Sequence, residues 1–157
     1  MTYCVPCTQE HIDQLKPRIR ESDQNELRLS SGRSPEVSLQ LSFEYSLECF
    51  AVIKKGVVLC VFGVCPHRAR DQVGVPWLIC AEEFKQEVGP KFAFQCRKYV
   101  KRMLAPFSSL MNSVWVENKE AISWLQWMGF HIQPPIKYGP MGSYFYPFVL
   151  NKDINYV

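Results

Sequence analysis

Apolar and polar positions alternate at two different periods along this chain, and the change of period divides it into elements. Thr2 to Pro6 reads as a short strand. Thr8 then offers a side-chain cap to a turn that carries Glu10, and Ile12 and Leu15 fall on one face, which predicts a helix beginning at residue 9. Pro17 can start a helical segment but cannot sit inside one, so two short helices are expected, 9 to 20 and 22 to 30, closed by Ser30-Ser31-Gly32. Ser34-Pro35-Glu36 supplies a cap, a proline at the first helical position and an acid in the first turn. Val37 and Leu41, like Leu39 and Phe43, then repeat every four residues, and 35 to 46 is predicted helical.

After Glu48 the period shortens. Cys49 to Ile53 and Val57 to Phe62 flank Lys54-Lys55-Gly56, a hairpin signal, and Pro66 closes the second strand before a polar loop from His67 to Gly74. Pro76 to Ala81 is expected as a third, central strand. Gly89-Pro90 opens an amphipathic helix with Phe92, Cys96, Tyr99, Val100 and Met103 on one face. Ser113 to Val116 reads as a strand, Asn118 as the cap of a helix through Trp127, Gly129 as its C-terminal stop, and Tyr144 to Leu150 as a final strand. The order fits an α+β class of fold: one mixed, mostly antiparallel sheet flanked by helices, in a single domain over residues 1–157.

Composition narrows the function classes. The chain is 47% apolar and 21% charged, enough to build a packed core. The longest unbroken apolar run, Val57 to Cys65, is about half of the roughly 20 residues a spanning helix needs, so no membrane span is expected. The start lacks a basic n-region and an apolar h-region, which points to a reducing compartment and to the seven cysteines as thiols. Cys4-Val5-Pro6-Cys7 is the lone C-x-x-C, without the second pair a structural zinc would use, so no metal site is expected. Lys91 to Arg102 carries basic side chains and no acid, but Phe92 and Tyr99 fall on its apolar stripe and the net charge is only +3. Nucleic acid is therefore not the expected partner.

The segment from Asn118 through Ala121 to Gly129-Phe130, preceded by Val114-Trp115-Val116, resembles the N-x-x-A…G-F segment of GCN5-related N-acetyltransferases (GNATs). A second likeness is spread more widely. His11-Ile12, Leu15 to Arg20, Glu26-Leu27, Phe62-Gly63-Val64, Gly74 to Leu78, Asn112 to Val116 and Trp124-Leu125 together resemble the small internal virion protein A family of short-tailed bacteriophages. That resemblance implies a GNAT-like fold, a role in virion assembly in the host cytoplasm, and other virion or assembly proteins as partners.

The resemblance to the enzymes also names a site to inspect. An acetyltransferase of this fold cradles the pyrophosphate of coenzyme A with loop amides at a helix N-terminus, in a pattern written Q/R-x-x-G-x-G/A. Gln86, Gly89 and Lys91 occupy the one comparable stretch, with Gln86 and Gly89 matching; Pro90 removes a donor, and Lys91 replaces a small residue. The tyrosine that the family places four residues before its Gly-Phe pair is Leu125 here, leaving Tyr99, Tyr138 or Tyr144 as substitutes, and Glu82 and Glu83 follow the central strand as candidate bases. The lost amide and the missing tyrosine give the main expectation: a noncatalytic virion assembly protein using the fold as a protein-binding scaffold, with no cofactor and no catalytic residues. The alternative is a divergent acetyl-CoA-dependent N-acetyltransferase, which requires an open split between strands 77–81 and 113–117.

Overall fold

The chain begins with β1 (Thr2–Pro6) and α1 (Gln9–Leu15), whose N-terminus is closed by Thr8 and His11 in a reciprocal capping box. Pro17 sits in a single 3-10 turn, Lys16–Arg18, so the interruption falls where its ring removes an N–H. Next come α2 (Glu21–Ser31), ended by Gly32 at φ 72°, and α3 (Pro35–Tyr45), capped by Ser34. The strands β2 (Glu48–Lys54) and β3 (Val57–Pro66) form the expected hairpin, with Lys55 and Gly56 both at positive φ in its turn. After β4 (Val73–Cys80) follow a short α4 (Phe84–Glu87), α5 (Pro90–Leu104), β5 (Ser109–Trp115), α6 (Lys119–Trp127), β6 (His131–Ile132), β7 (Ile136–Tyr138) and β8 (Ser143–Asn151). This computed structural model describes residues 2–88 and 90–152, and not the side chains of residues 90, 91 and 93. Among the described residues no helix is long and apolar enough to cross a membrane.

One sheet runs in the order β1-β2-β3-β4-β5-β8-β6, with β7 also paired to β8. Every junction is antiparallel except β4–β5, which is parallel and has only two rungs, Val73 with Ser109 and Gly74 with Leu110. Pro76 has no N–H to continue that ladder. Its carbonyl instead accepts a 2.7 Å hydrogen bond from Asn112 Nδ2, a side-chain rung, beyond which no further β4–β5 pair forms. Both strands start earlier than the sequence pattern predicts, at 73 and 109 instead of 76 and 113, and the added residues carry the parallel rungs.

Side chains alternate across this sheet, so each face has its own core. On one face Ile12, Leu15 and Leu39 of α1 and α3 are fully buried against Ala51, Val58, Val61 and Ile79. Removing each such aliphatic side chain from water contributes about 1.5–3 kcal/mol. On the other face the predicted stripe of α5 (Phe92, Cys96, Val100, Met103) packs with Leu110, Val114, Met128 and Phe148. The basic remainder of α5 is partly committed: Arg102 is bidentate on Glu48, and Arg97 lies 4.7 Å from the Trp127 ring centre while donating to its carbonyl. Phe94, unlike Phe92, is exposed and meets Trp127 edge-on.

Candidate active site

The two strands that stop pairing at Pro76 leave a gap in the middle of the sheet, and α2 is held over it. Arg20 N–H donates to the Cys80 carbonyl and Glu82 N–H to the Arg18 carbonyl, so the segment entering α2 is bonded across the end of β4. A cavity of about 250 Å³ passes through this gap. Its α2 side is lined by Asp23, Glu26, Leu27, Ser30, Trp77 and Tyr138; its other side by Phe92, Cys96, Tyr99, Trp124, Leu125 and Met128.

The split is open because of what its residues do with their side chains. Trp77 turns its indole away from β5, over β3, donating from Nε1 to Ser46 Oγ at 2.8 Å. Gly63 makes room for that pose: a Cβ there would lie 3.1 Å from Trp77 Nε1 and 2.5 Å from the Glu48 carbonyl oxygen. Along β4 the amide of Cys80 points away from β3, toward α2, and by strand alternation the amide and carbonyl of Leu78 face the same way, into the split.

Two carboxylates of α2 occupy the α2 side of the gap. Asp23, 3% exposed, accepts from Cys80 N–H at 2.8 Å and pairs with Arg20, whose Nε lies 2.9 Å away. Burial raises its pKa, against the opposing pull of Arg20. Glu26 accepts from Trp115 N–H at 2.9 Å and from Asn118 Nδ2 at 3.2 Å, both on Oε1, leaving Oε2 for chemistry. Burial pushes its carboxyl up to about 7, with the Trp115 amide restraining the rise and the Asp23 charge adding to it. Asn118, read from sequence as a helix cap, is 2% exposed and makes no side-chain cap bond; its amide is spent on Glu26.

The residues singled out from sequence fall less centrally. Glu83 is held by Arg18 at 2.9 Å, a contact that lowers its pKa, and Glu82 is exposed; neither lines the cavity. Of the three substitute tyrosines, Tyr99 and Tyr138 line it and Tyr144 does not. A hydrogen bond with Cys4 raises the Tyr99 pKa to about 12, so its hydroxyl stays protonated at neutral pH. Gln86 is exposed on α4, Gly89 lies outside the described residues, and Lys91 is in the first turn of α5 with its side chain likewise outside them. Glu26 entered the sequence reading only through the Glu26-Leu27 pair of the phage-protein likeness and not as a site residue. Its one signal was that α2 has just two apolar residues, Leu27 and Leu29, so that polar groups had to make up its inner face.

Solved structures share this architecture. A ribosomal-protein-alanine N-acetyltransferase from Brucella melitensis superposes with a TM-score of 0.72 at 12% identity, covering 96% of this chain and 99% of its own. An N-acetyltransferase from Staphylococcus aureus gives 0.71 at 10%, covering 96% and 98%. A Salmonella typhimurium structure, described as a candidate acetyltransferase with its cofactor acetyl-CoA, gives 0.67 at 11%, covering 98% and 95%. The fold is that of the GNAT acetyltransferases, as the Asn118 to Phe130 segment implied. No family model matches the sequence, and no curated protein matches it, so the likeness to the phage internal virion proteins gains no support. The expectation of a noncatalytic scaffold is corrected: the neighbours over nearly the whole chain are N-acetyltransferases, and the split that the alternative required is present.

Proposed function

We propose that this protein is an acetyl-CoA-dependent N-acetyltransferase. The observation that carries the reading is the Pro76-terminated split with Glu26 set in its α2 side. Two carbonyl–amide groups recur along the pantetheine arm of coenzyme A, and an unpaired strand edge is a partner for such a chain. Leu78 supplies that edge in the split, and the apolar residues of α5 and α6 wall it, so the arm fits. At the pyrophosphate end, Gln86, Gly89 and Lys91 would hold the group with one amide fewer than an unbroken helix start offers, because Pro90 has none. When bound, acetyl-CoA supplies an acyl group activated as a thioester.

The chain's own residues then have distinct tasks. An attacking amine must shed a proton, and Glu26 Oε2 is the base, poised near the pH at which it works because burial has lifted its pKa to about 7. Trp115 N–H and Asn118 Nδ2 fix the carboxylate through its other oxygen. Tyr99 lines the opposite wall but does not replace the tyrosine absent at Leu125: its ring packs on Phe50 and Phe62, and its hydroxyl is engaged with Cys4 of β1, away from the split.

The test is calorimetry with acetyl-CoA together with a thiol-release assay over a panel of amines. Binding with a dissociation constant between about 1 μM and 1 mM, and amine-dependent release of free coenzyme, are expected. Neither binding nor release with any amine would overturn the assignment.

A further inference from the structure

The charges and walls on the α2 side of the cavity restrict what can be acetylated, an inference that rests on the acetyltransferase reading of the same split. We propose that the acceptor is a small monocationic amine that has an apolar body and no carboxylate. Two acids face this side, but they are not equivalent. Asp23 is already matched: Arg20 lies 2.9 Å from its Oδ2, and the same oxygen accepts from Cys80 N–H. Glu26 receives only neutral donors, both on Oε1, so one negative charge is left for one ammonium group. A second or third ammonium, as in a polyamine, finds no further carboxylate there. A carboxylate beside the amine, as in a free amino acid, would be brought against Glu26, while the Arg20 cation of the lining is already committed to Asp23 at 2.9 Å and lies 3.8 Å from Glu120, and like charges in a partly desolvated cleft strongly disfavour one another.

The remaining lining sets the body of the substrate. Leu27, Pro76, Trp77 and Tyr138 supply apolar or aromatic lining on the side of Glu26, and Ser30 and Ser42 complete it, the Ser30 hydroxyl donating to the Leu27 carbonyl. Size is limited by the hairpin of β7 and β8. Its turn packs on the end of α2: a Cβ on Gly139, at φ 81°, would collide with the Leu29 carbonyl oxygen, and one on Gly32 would lie 3.1 Å from the Pro140 ring. Backbone thus meets backbone at that end of the groove. The whole passage, donor side included, has a volume of about 250 Å³, below the roughly 300–1,000 Å³ of pockets that engulf drug-sized ligands. An acceptor of one ring or one short branched chain is what the α2 side admits.

The experiment compares 2-phenylethylamine, phenylalanine and spermidine, first by calorimetric titration into the protein without donor and then as acceptors in the thiol-release assay. The expected order is 2-phenylethylamine tightest, with phenylalanine and spermidine each at least about tenfold weaker and slower. Glu26→Gln, checked for cooperative unfolding, should lose at least about tenfold in 2-phenylethylamine affinity while keeping both hydrogen bonds to Oε1. Equal or tighter binding of phenylalanine or spermidine, or no binding of any of the three, overturns the proposal, and the wild-type ranking decides even if the variant does not fold. The expected ranking in titration without thiol release would leave this inference standing and remove the acetyltransferase reading. Thiol release with a different ranking would do the reverse.

Discussion

Glu26 concentrates the opposing demands on this molecule. Its carboxyl, raised from an ordinary 4.5 to about 7, is more easily protonated in the folded than in the unfolded chain. The stability this contributes is therefore fully present below about pH 4.5 and is lost as pH rises through 7, at a cost of about 3 kcal/mol by the top of that window. Activity runs the other way, since only the ionised form accepts a proton. The pH profile of kcat/KM should accordingly rise through a limb near 7. Glu26→Gln should lower kcat/KM by about 10²–10⁴-fold and yet raise the melting temperature at pH 8, because an amide has no charge to bury. A variant that lost activity and stability together at pH 8 would show Glu26 to be structural support alone. No local motif marks this residue: its chemistry depends on Trp115 N–H and Asn118 Nδ2, which are 89 and 92 positions away in sequence.

Among the elements, helices α1, α2, α3, α5 and α6 and the β2–β3 hairpin were legible from caps, prolines and periodicity, since those signals are local. The split was not. Its rungs fall on Val73-Gly74 and Ser109-Leu110, where glycine and serine weaken the strand pattern and a parallel partner across α4 and α5 supplies the pairing. The start of α5 shows the converse: the missing amide of Pro90 is legible in the sequence, and under the proposed function it weakens one end of the site without removing it. Pro90→Ala should restore an amide and tighten acetyl-CoA about tenfold, the effect of one charge-assisted hydrogen bond, while leaving acetyl-pantetheine, which has no pyrophosphate, unchanged. Competition binding with the two donors measures this. Equal tightening of both would place the effect in the helix as a whole.

For the whole molecule, the sheet consists of two antiparallel halves, β1 to β4 and β5 to β8, joined edge to edge by two backbone rungs and the Asn112 amide. A donor lying along Leu78 would touch both halves, and binding that favours the folded form stabilises it by mass action. At a hundred times its dissociation constant acetyl-CoA should add about 2.7 kcal/mol, a rise of roughly 5–10 °C for a chain of this size. Thermal unfolding with and without donor reads it directly, and no shift at saturation would exclude binding to the native split. The ending of the seam carries a kinetic meaning as well. Pro76 lacks the N–H in its covalent structure, so the strands part there whether or not anything is bound, and the gap does not have to be pried apart by its occupant. Entry is then a single bimolecular step onto a preorganised edge, and its rate should scale linearly with donor concentration without a slow opening phase.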